Sequence, residues 1–265
     1  MLADLMAGAV EDAAQRRLER PLADIEKAAL AQPSARAALA ALAPADRVKI
    51  IAEVKRASPS RGDLARIPDP AHQAGLYEQG GASAISVLTE GRRFKGSIAD
   101  LEAVKSAVSL PVLRKDFIAN EYQVLEARAA GADLVLLIVA ALDQQVLRSL
   151  HALIGELGMT ALVETHSADE IERAADIGAR LIGVNARNLA TFELDRDLFA
   201  RLVGRIPVGA VKVAESAVHT PADVAHYRDA GADVVLIGEA LVTGDPVATL
   251  RSFLGASPAV QTGEL

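Results

Sequence analysis

Apolar residues in this chain fall in short dense runs. GGASAISVL begins at Gly80, AGADLVLLI at Ala130, IGARLIGVN at Ile177 and AGADVVLIG at Ala230, so one pattern recurs about every fifty residues. Each copy is a glycine-containing helix stop followed by a Val, Ile and Leu run, the pattern of a parallel strand buried on both faces. KIIAEV (49–54), PVLRKDF (111–117), TALVETH (160–166) and VKVAES (211–216) interleave with them, giving eight strand candidates. Between the runs apolar spacing turns helical: Val146, Leu147, Leu150, Leu153, Ile154 and Leu157 form a one-sided stripe. Start signals agree, with Ser167 and Glu170 in capping-box spacing and Thr220 before Pro221. Eight strand–helix units without hairpin signals predict an α/β fold, a (βα)8 TIM barrel; an open doubly wound sheet is the alternative.

The 48 residues before the first strand carry Leu2, Leu5, Met6 and Val10 at helical spacing. They predict an N-terminal helical extension over 1–48, packed on one end of a barrel that spans 49–255. The tail, 256–265, lacks periodicity and is expected to fray, so 1–265 reads as a single domain.

Composition narrows the function. With 51 % hydrophobic and 24 % charged residues the 265-residue chain can bury a large core, and a net charge of −7 offers no broad basic face for nucleic acid. Cysteine is absent, which removes disulfides, thiolate metal sites and cysteine nucleophiles. The longest apolar run, Leu134 to Leu142, is too short to cross a bilayer, and the first residues lack the order of a secretory signal. A cytoplasmic location with no membrane partner is expected. The five histidines show no metal-ligand spacing, and no nucleotide-binding fingerprint appears.

Barrel active sites form at the carboxyl ends of the strands. The polar residues there are Glu53 and Lys55, Lys115, Glu164, Asn185 and Arg187, and Glu215 and Ser216. The two-residue spacing of Glu53/Lys55 and of Asn185/Arg187 sends each pair to one side of its strand. Taken singly, each is as well explained by a solvated loop or a structural ion pair. Together in an apolar mouth they form an acid–base cluster whose pKa values can separate, suited to isomerising, dehydrating or closing a sugar. AESA (214–217) and IGEAL (237–241) follow strands 7 and 8, where backbone N–H groups bind phosphate in many barrels, and Lys55 adds a charge. Ser58 reads as a ligand-loop residue and His166 as a supporting residue beside Glu164.

KIIAEVKRASPSRGDL (49–64), FKGS (94–97), PVLRKDFI (111–118), LVETH (162–166), IGVNARNLATFELD (182–195), VAESAVHTPADV (213–224) and LIGEALV (236–242) together resemble the indole-3-glycerol phosphate synthase family. The resemblance implies a lyase of tryptophan biosynthesis that converts 1-(2-carboxyphenylamino)-1-deoxyribulose 5-phosphate to indole-3-glycerol phosphate without metal or cofactor. It implies Lys115 as the general acid of ring closure and Glu164 in the proton transfers of dehydration. Lys55 would hold substrate anions and serve as a second acid, Glu53 would tune the lysines, and Asn185 and Glu215 would hold the sugar. Arg187 would brace the site. Phosphate would lie near Ser216, Ala217, Gly238 and Glu239, and the anthranilate ring against Phe94 or Leu236. Ala217 departs from the glycine usual after Glu-Ser, which raises the question of a positive φ there. The related barrels phosphoribosylanthranilate isomerase and tryptophan synthase α subunit fit the two inward pairs less well, and a binding-only scaffold would not need Lys115 and Glu164. The sequence leaves the oligomeric state open, with a monomer favoured.

Overall fold

The computed structural model describes residues 2–188, 191 and 193–255; the tail expected to fray, 256–265, lies outside them. Eight parallel strands close into a barrel: β1 (Lys49–Val54), β2 (Ala84–Leu88), β3 (Val112–Lys115), β4 (Leu134–Ile138), β5 (Thr160–Thr165), β6 (Leu181–Asn185), β7 (Val211–Glu215) and β8 (Val234–Ile237). The closing seam pairs Lys49 with Val234 and Ala52 with Ile237. All eight coincide with the apolar runs, and the open-sheet alternative falls with the closure.

Side chains alternate across the barrel wall. Ile51, Leu113, Leu162, Leu181, Val213 and Leu236 belong to the inner cluster, whereas Ile50, Ala52, Val112, Val163, Ile182 and Val235 pack outward under the helices. The helix Gln144–Glu156 buries Leu147, Leu150 and Ile154, the stripe read from spacing. Thr220 caps the helix Pro221–Asp229 in a full capping box with Asp223. Ser167 caps the helix Ala168–Asp176, but the Glu170 carboxylate reaches past the cap and accepts the His166 N–H at 2.7 Å.

The N-terminal extension is not confined to one end. Its helix α1 (Leu2–Glu19) brings Leu5 into the mouth at the carboxyl ends of the strands. The next, α2 (Leu22–Leu30), lies along the helix Glu121–Ala129, where Ile25 and Ala29 pack with Tyr122 and Leu125. Then Arg36 donates to Asp133 and Leu110 at the opposite end, and α3 (Ala38–Ala41) with Leu42 closes that end against the inner cluster. The extension crosses the whole height of the barrel because its apolar positions are split between two buried surfaces.

Candidate active site

The mouth opens into a cavity of about 1060 Å³, its entrance included. It is lined by Glu53, Lys55, Ser58, Phe94, Lys115, Glu164, Asn185, Arg187, Glu215, Ser216, Ala217, Leu236, Gly238 and Glu239. The reason is the strand period. Glu53 continues the inward row of Ile51, Lys115 that of Leu113, Glu164 that of Leu162 and Glu215 that of Val213. Lys55 and Arg187 each stand just past a strand end, in the loops.

Lys115 is the centre. Its Nζ lies 3.5 Å from Glu164 Oε2 and 3.6 Å from Glu215 Oε2. Burial works against the ammonium, but Glu164, Glu215 and Glu53 outweigh it and hold its pKa above the usual lysine range. Glu53 is buried and holds Lys55 Nζ at 2.8 Å. Burial disfavours its charge, and the two lysines overcome that and keep it ionised.

Glu164 and Glu215 are 1 % and 2 % exposed, so each carboxyl has lost almost all its water. Their fates differ. Burial opposes ionisation of Glu164, yet Lys115 and His166 pull its pKa below the ordinary value. Glu215 is pushed well above that value by burial and by Glu164, with Lys115 opposing. Glu164 Oε2 and both Glu215 oxygens have no hydrogen-bond partner among the described residues, polar atoms left for a substrate to engage.

Around this cluster Asn185 Oδ1 accepts from Ser216 Oγ at 2.8 Å and from the Arg187 N–H at 3.0 Å, tying the ends of β6 and β7 together. Ser216 and Ala217 both have positive φ, +71° and +58°. Two successive left-handed residues turn the chain sharply between β7 and its helix, so the alanine sits where glycine carries no steric penalty. At Gly238 any side-chain carbon would come within 2.6 Å of Glu53 Oε1 and 3.1 Å of Lys55 Nζ, so glycine there leaves room for the pair. Arg61 Nη1, from the loop after β1, reaches Glu239 Oε1 at 2.7 Å and links that loop to the end of β8.

Several lining residues escaped the sequence reading. Phe117 stands with Phe94, ring centroids 6.1 Å apart, and Leu5, Leu136 and Ile138 extend the same apolar wall. Phe117 had a signal, since it lies two residues beyond Lys115; Leu5 had none, because nothing local says where α1 docks. The buried Glu90 accepts the N–H groups of Arg92, Arg93 and Phe94 at 2.9, 2.7 and 2.9 Å and so sets the loop that carries Phe94. Outward from Lys115, the fully buried Arg114 bonds Asp116 Oδ2 at 3.0 Å and Glu126 Oε2 at 2.9 Å, and Glu126 also holds Arg16 of α1.

Solved structures with this architecture include an N-acetylmannosamine-6-phosphate 2-epimerase from Clostridium perfringens and a thiamine phosphate pyrophosphorylase from Pyrococcus furiosus. The first has TM-score 0.58, 16 % identity and covers 73 % of this chain and 87 % of its own. The second has TM-score 0.59, 13 % identity and covers 80 % and 96 %. At such identities they speak for the fold alone. Sequence relatives go further. An indole-3-glycerol phosphate synthase of Leifsonia xyli subsp. xyli is 72 % identical over 255 residues, 96 % of this chain and 98 % of that one. One from Beutenbergia cavernae is 56 % identical over 264 residues, 98 % of each. The family profile described as indole-3-glycerol phosphate synthase matches residues 2–253, and the chain belongs to that family.

Proposed function

We propose that this mouth carries out the family's reaction with Lys115 as the acid that protonates the sugar carbonyl oxygen of 1-(2-carboxyphenylamino)-1-deoxyribulose 5-phosphate while the ring closes. The chain is an indole-3-glycerol phosphate synthase, a lyase of tryptophan biosynthesis, so the product is indole-3-glycerol phosphate with CO2 and water released. The single observation behind Lys115 is its place at the focus of three buried carboxyl groups, a cation held charged by Glu164, Glu215 and Glu53 inside a largely apolar wall. An ammonium so placed stabilises negative charge as it grows on the carbonyl oxygen and supplies the proton.

Lys55, paired with Glu53 at the rim, would bind the substrate's carboxylate and act as a second acid. Glu164 would take part in the proton transfers of dehydration. Asn185 and Glu215 would hold the sugar hydroxyls, Glu215 as a neutral carboxylic acid able to donate. The phosphate would rest on backbone N–H groups after Glu215 and Ile237, beside Ser216, Ala217, Gly238 and Glu239, with Ser58 and Arg187 closing over it from the loops. The anthranilate ring would lie against Phe94, Phe117 and Leu236.

The chain contains no tryptophan, so indole fluorescence on adding this substrate arises against a quiet background. Wild-type protein should generate the signal, and Lys115→Ala should lose at least about a thousandfold in kcat, beyond the usual range for a misplaced binding contact. Near-native turnover by the variant would overturn the assignment of the acid.

A further inference from the structure

Lys115 cannot choose between the two carboxyl groups it faces. Its Nζ is almost equidistant from them, 3.5 Å from Glu164 and 3.6 Å from Glu215. Two carboxyls this deeply buried around one ammonium oppose each other's ionisation and favour a state in which the pair shares one proton. A mechanism in which Glu164 exchanges protons with substrate needs that proton to start on the right member.

The asymmetry lies behind Glu164. His166 Nε2 stands 3.4 Å from Glu164 Oε1, on the side away from Lys115's contact with Oε2. Its Nδ1 is 3.3 Å from Glu170 Oε2, the oxygen that also accepts the His166 backbone N–H at 2.7 Å. The ring is thus clamped through main chain and side chain from the first turn of the helix Ala168–Asp176. His166 is not among the residues lining the cavity, so it reaches the reaction only through Glu164. Glu215 has no counterpart: among the described residues its only ion-pair partner is Lys115, and the next carboxylate near it is Glu53, held by Lys55.

We propose that His166, oriented by Glu170, is a positioning residue that makes Glu164 the ionised member of the pair and leaves the proton on Glu215. The charged and polar groups around this contact are Glu170 from the helix, Lys115 from β3, Asn185 from β6 and Glu215 from β7. Burial opposes charge on the imidazole, but Glu170 and Glu164 outweigh both that and the repulsion from Lys115, so it titrates above the free value of about 6.5. The imidazolium is present below its raised pKa and is lost as pH rises through it, and the bias on the carboxyl pair goes with it.

The inference rests on the reading that Glu164 exchanges protons with the substrate, and the experiment separates the two. The dependence of kcat on pH is measured for wild type, His166→Gln and Glu170→Gln, with Glu164→Gln alongside. Wild type should show an alkaline limb beginning above about pH 6.5. In His166→Gln that limb should vanish and the plateau fall about tenfold to a hundredfold, with KM within about twofold of wild type, as expected of a residue remote from bound substrate. Glu170→Gln keeps an acceptor for the His166 N–H but removes the charge that favours imidazolium, so its limb should move to lower pH; it carries the test if His166→Gln fails to fold. Profiles that coincide with wild type, or a rise in KM alone, would overturn the proposal. Near-native kcat in Glu164→Gln would instead overturn the reading beneath it.

Discussion

A side-chain carbon at Gly183 would lie 2.1 Å from Glu215 Oε1. Gly183 sits in the middle of β6 with Glu215 on the neighbouring strand, so the missing side chain is the space that receives the carboxyl group. Gly183→Ala must displace Glu215, and with it the geometry around Lys115. We expect kcat to fall at least about a hundredfold and stability to drop by about 1–3 kcal/mol, the usual penalty for overpacking. Gly155→Ala is the control: it lies in a helix with nothing within 4 Å of the added carbon and should leave kcat unchanged while gaining about 0.5–1 kcal/mol. Equal kcat in the two variants would dismiss the packing argument.

Ala217 answers the question its sequence raised, because its φ of +58° lies in the region that penalises a β-carbon. Ala217→Gly removes a strain of about 1–2 kcal/mol, offset in part by the larger freedom glycine gives the unfolded chain. The expected result is a net gain in stability of no more than about 1 kcal/mol. Affinity for inorganic phosphate should rise up to about fivefold, with kcat unaltered. Unchanged phosphate affinity in titration calorimetry would mean that the methyl group does not crowd the ligand.

Glu215 makes a prediction in pH. Its pKa is raised well above the unfolded value by burial and Glu164, so between the two values the folded protein binds more protons than the unfolded chain. Stability linked to this group is therefore full below the unfolded pKa of about 4.3 and is lost as pH rises towards the folded value. Glu215→Gln deletes the titration and keeps a donor. Urea denaturation across a pH series should show the variant gaining on wild type as pH increases, whereas parallel curves would place the proton elsewhere.

Glu90 fixes Phe94 without touching the reacting groups. Its carboxylate collects three backbone N–H groups, charge-assisted bonds that an alanine cannot replace. In Glu90→Ala the loop should lose its fixed form and KM should rise about tenfold, with kcat within about twofold, because the aromatic wall acts in binding. A loss confined to kcat would show that Phe94 matters to the chemistry instead.

The barrel was legible because each strand declares itself locally as a short apolar run, four of them after a glycine stop, and the same period of two that buries Ile51 and Leu113 delivers Glu53 and Lys115 to the mouth. What could not be read depends on the approach of distant segments. Leu5 joins the aromatic wall only through the docking of α1, and the path of the extension to both ends follows from packing of Ile25 and Ala29 on another helix. Gly183 looks in sequence like any strand glycine until Glu215 is seen beside it. Glu90 and Arg114 likewise gain meaning from partners that the linear order does not announce.

Leu5 and Gly238 face the same cavity although one comes from the N-terminal extension and the other follows the last barrel strand. A ribosome delivers the first long before the second, so a chain still emerging can hold part of the wall but never the whole mouth. Turnover is for that reason a late event in the life of the nascent protein. Partly synthesised barrels with exposed strand edges have no complete pocket in which to bind substrate, and ligand stabilisation reaches only chains whose closing seam has already formed.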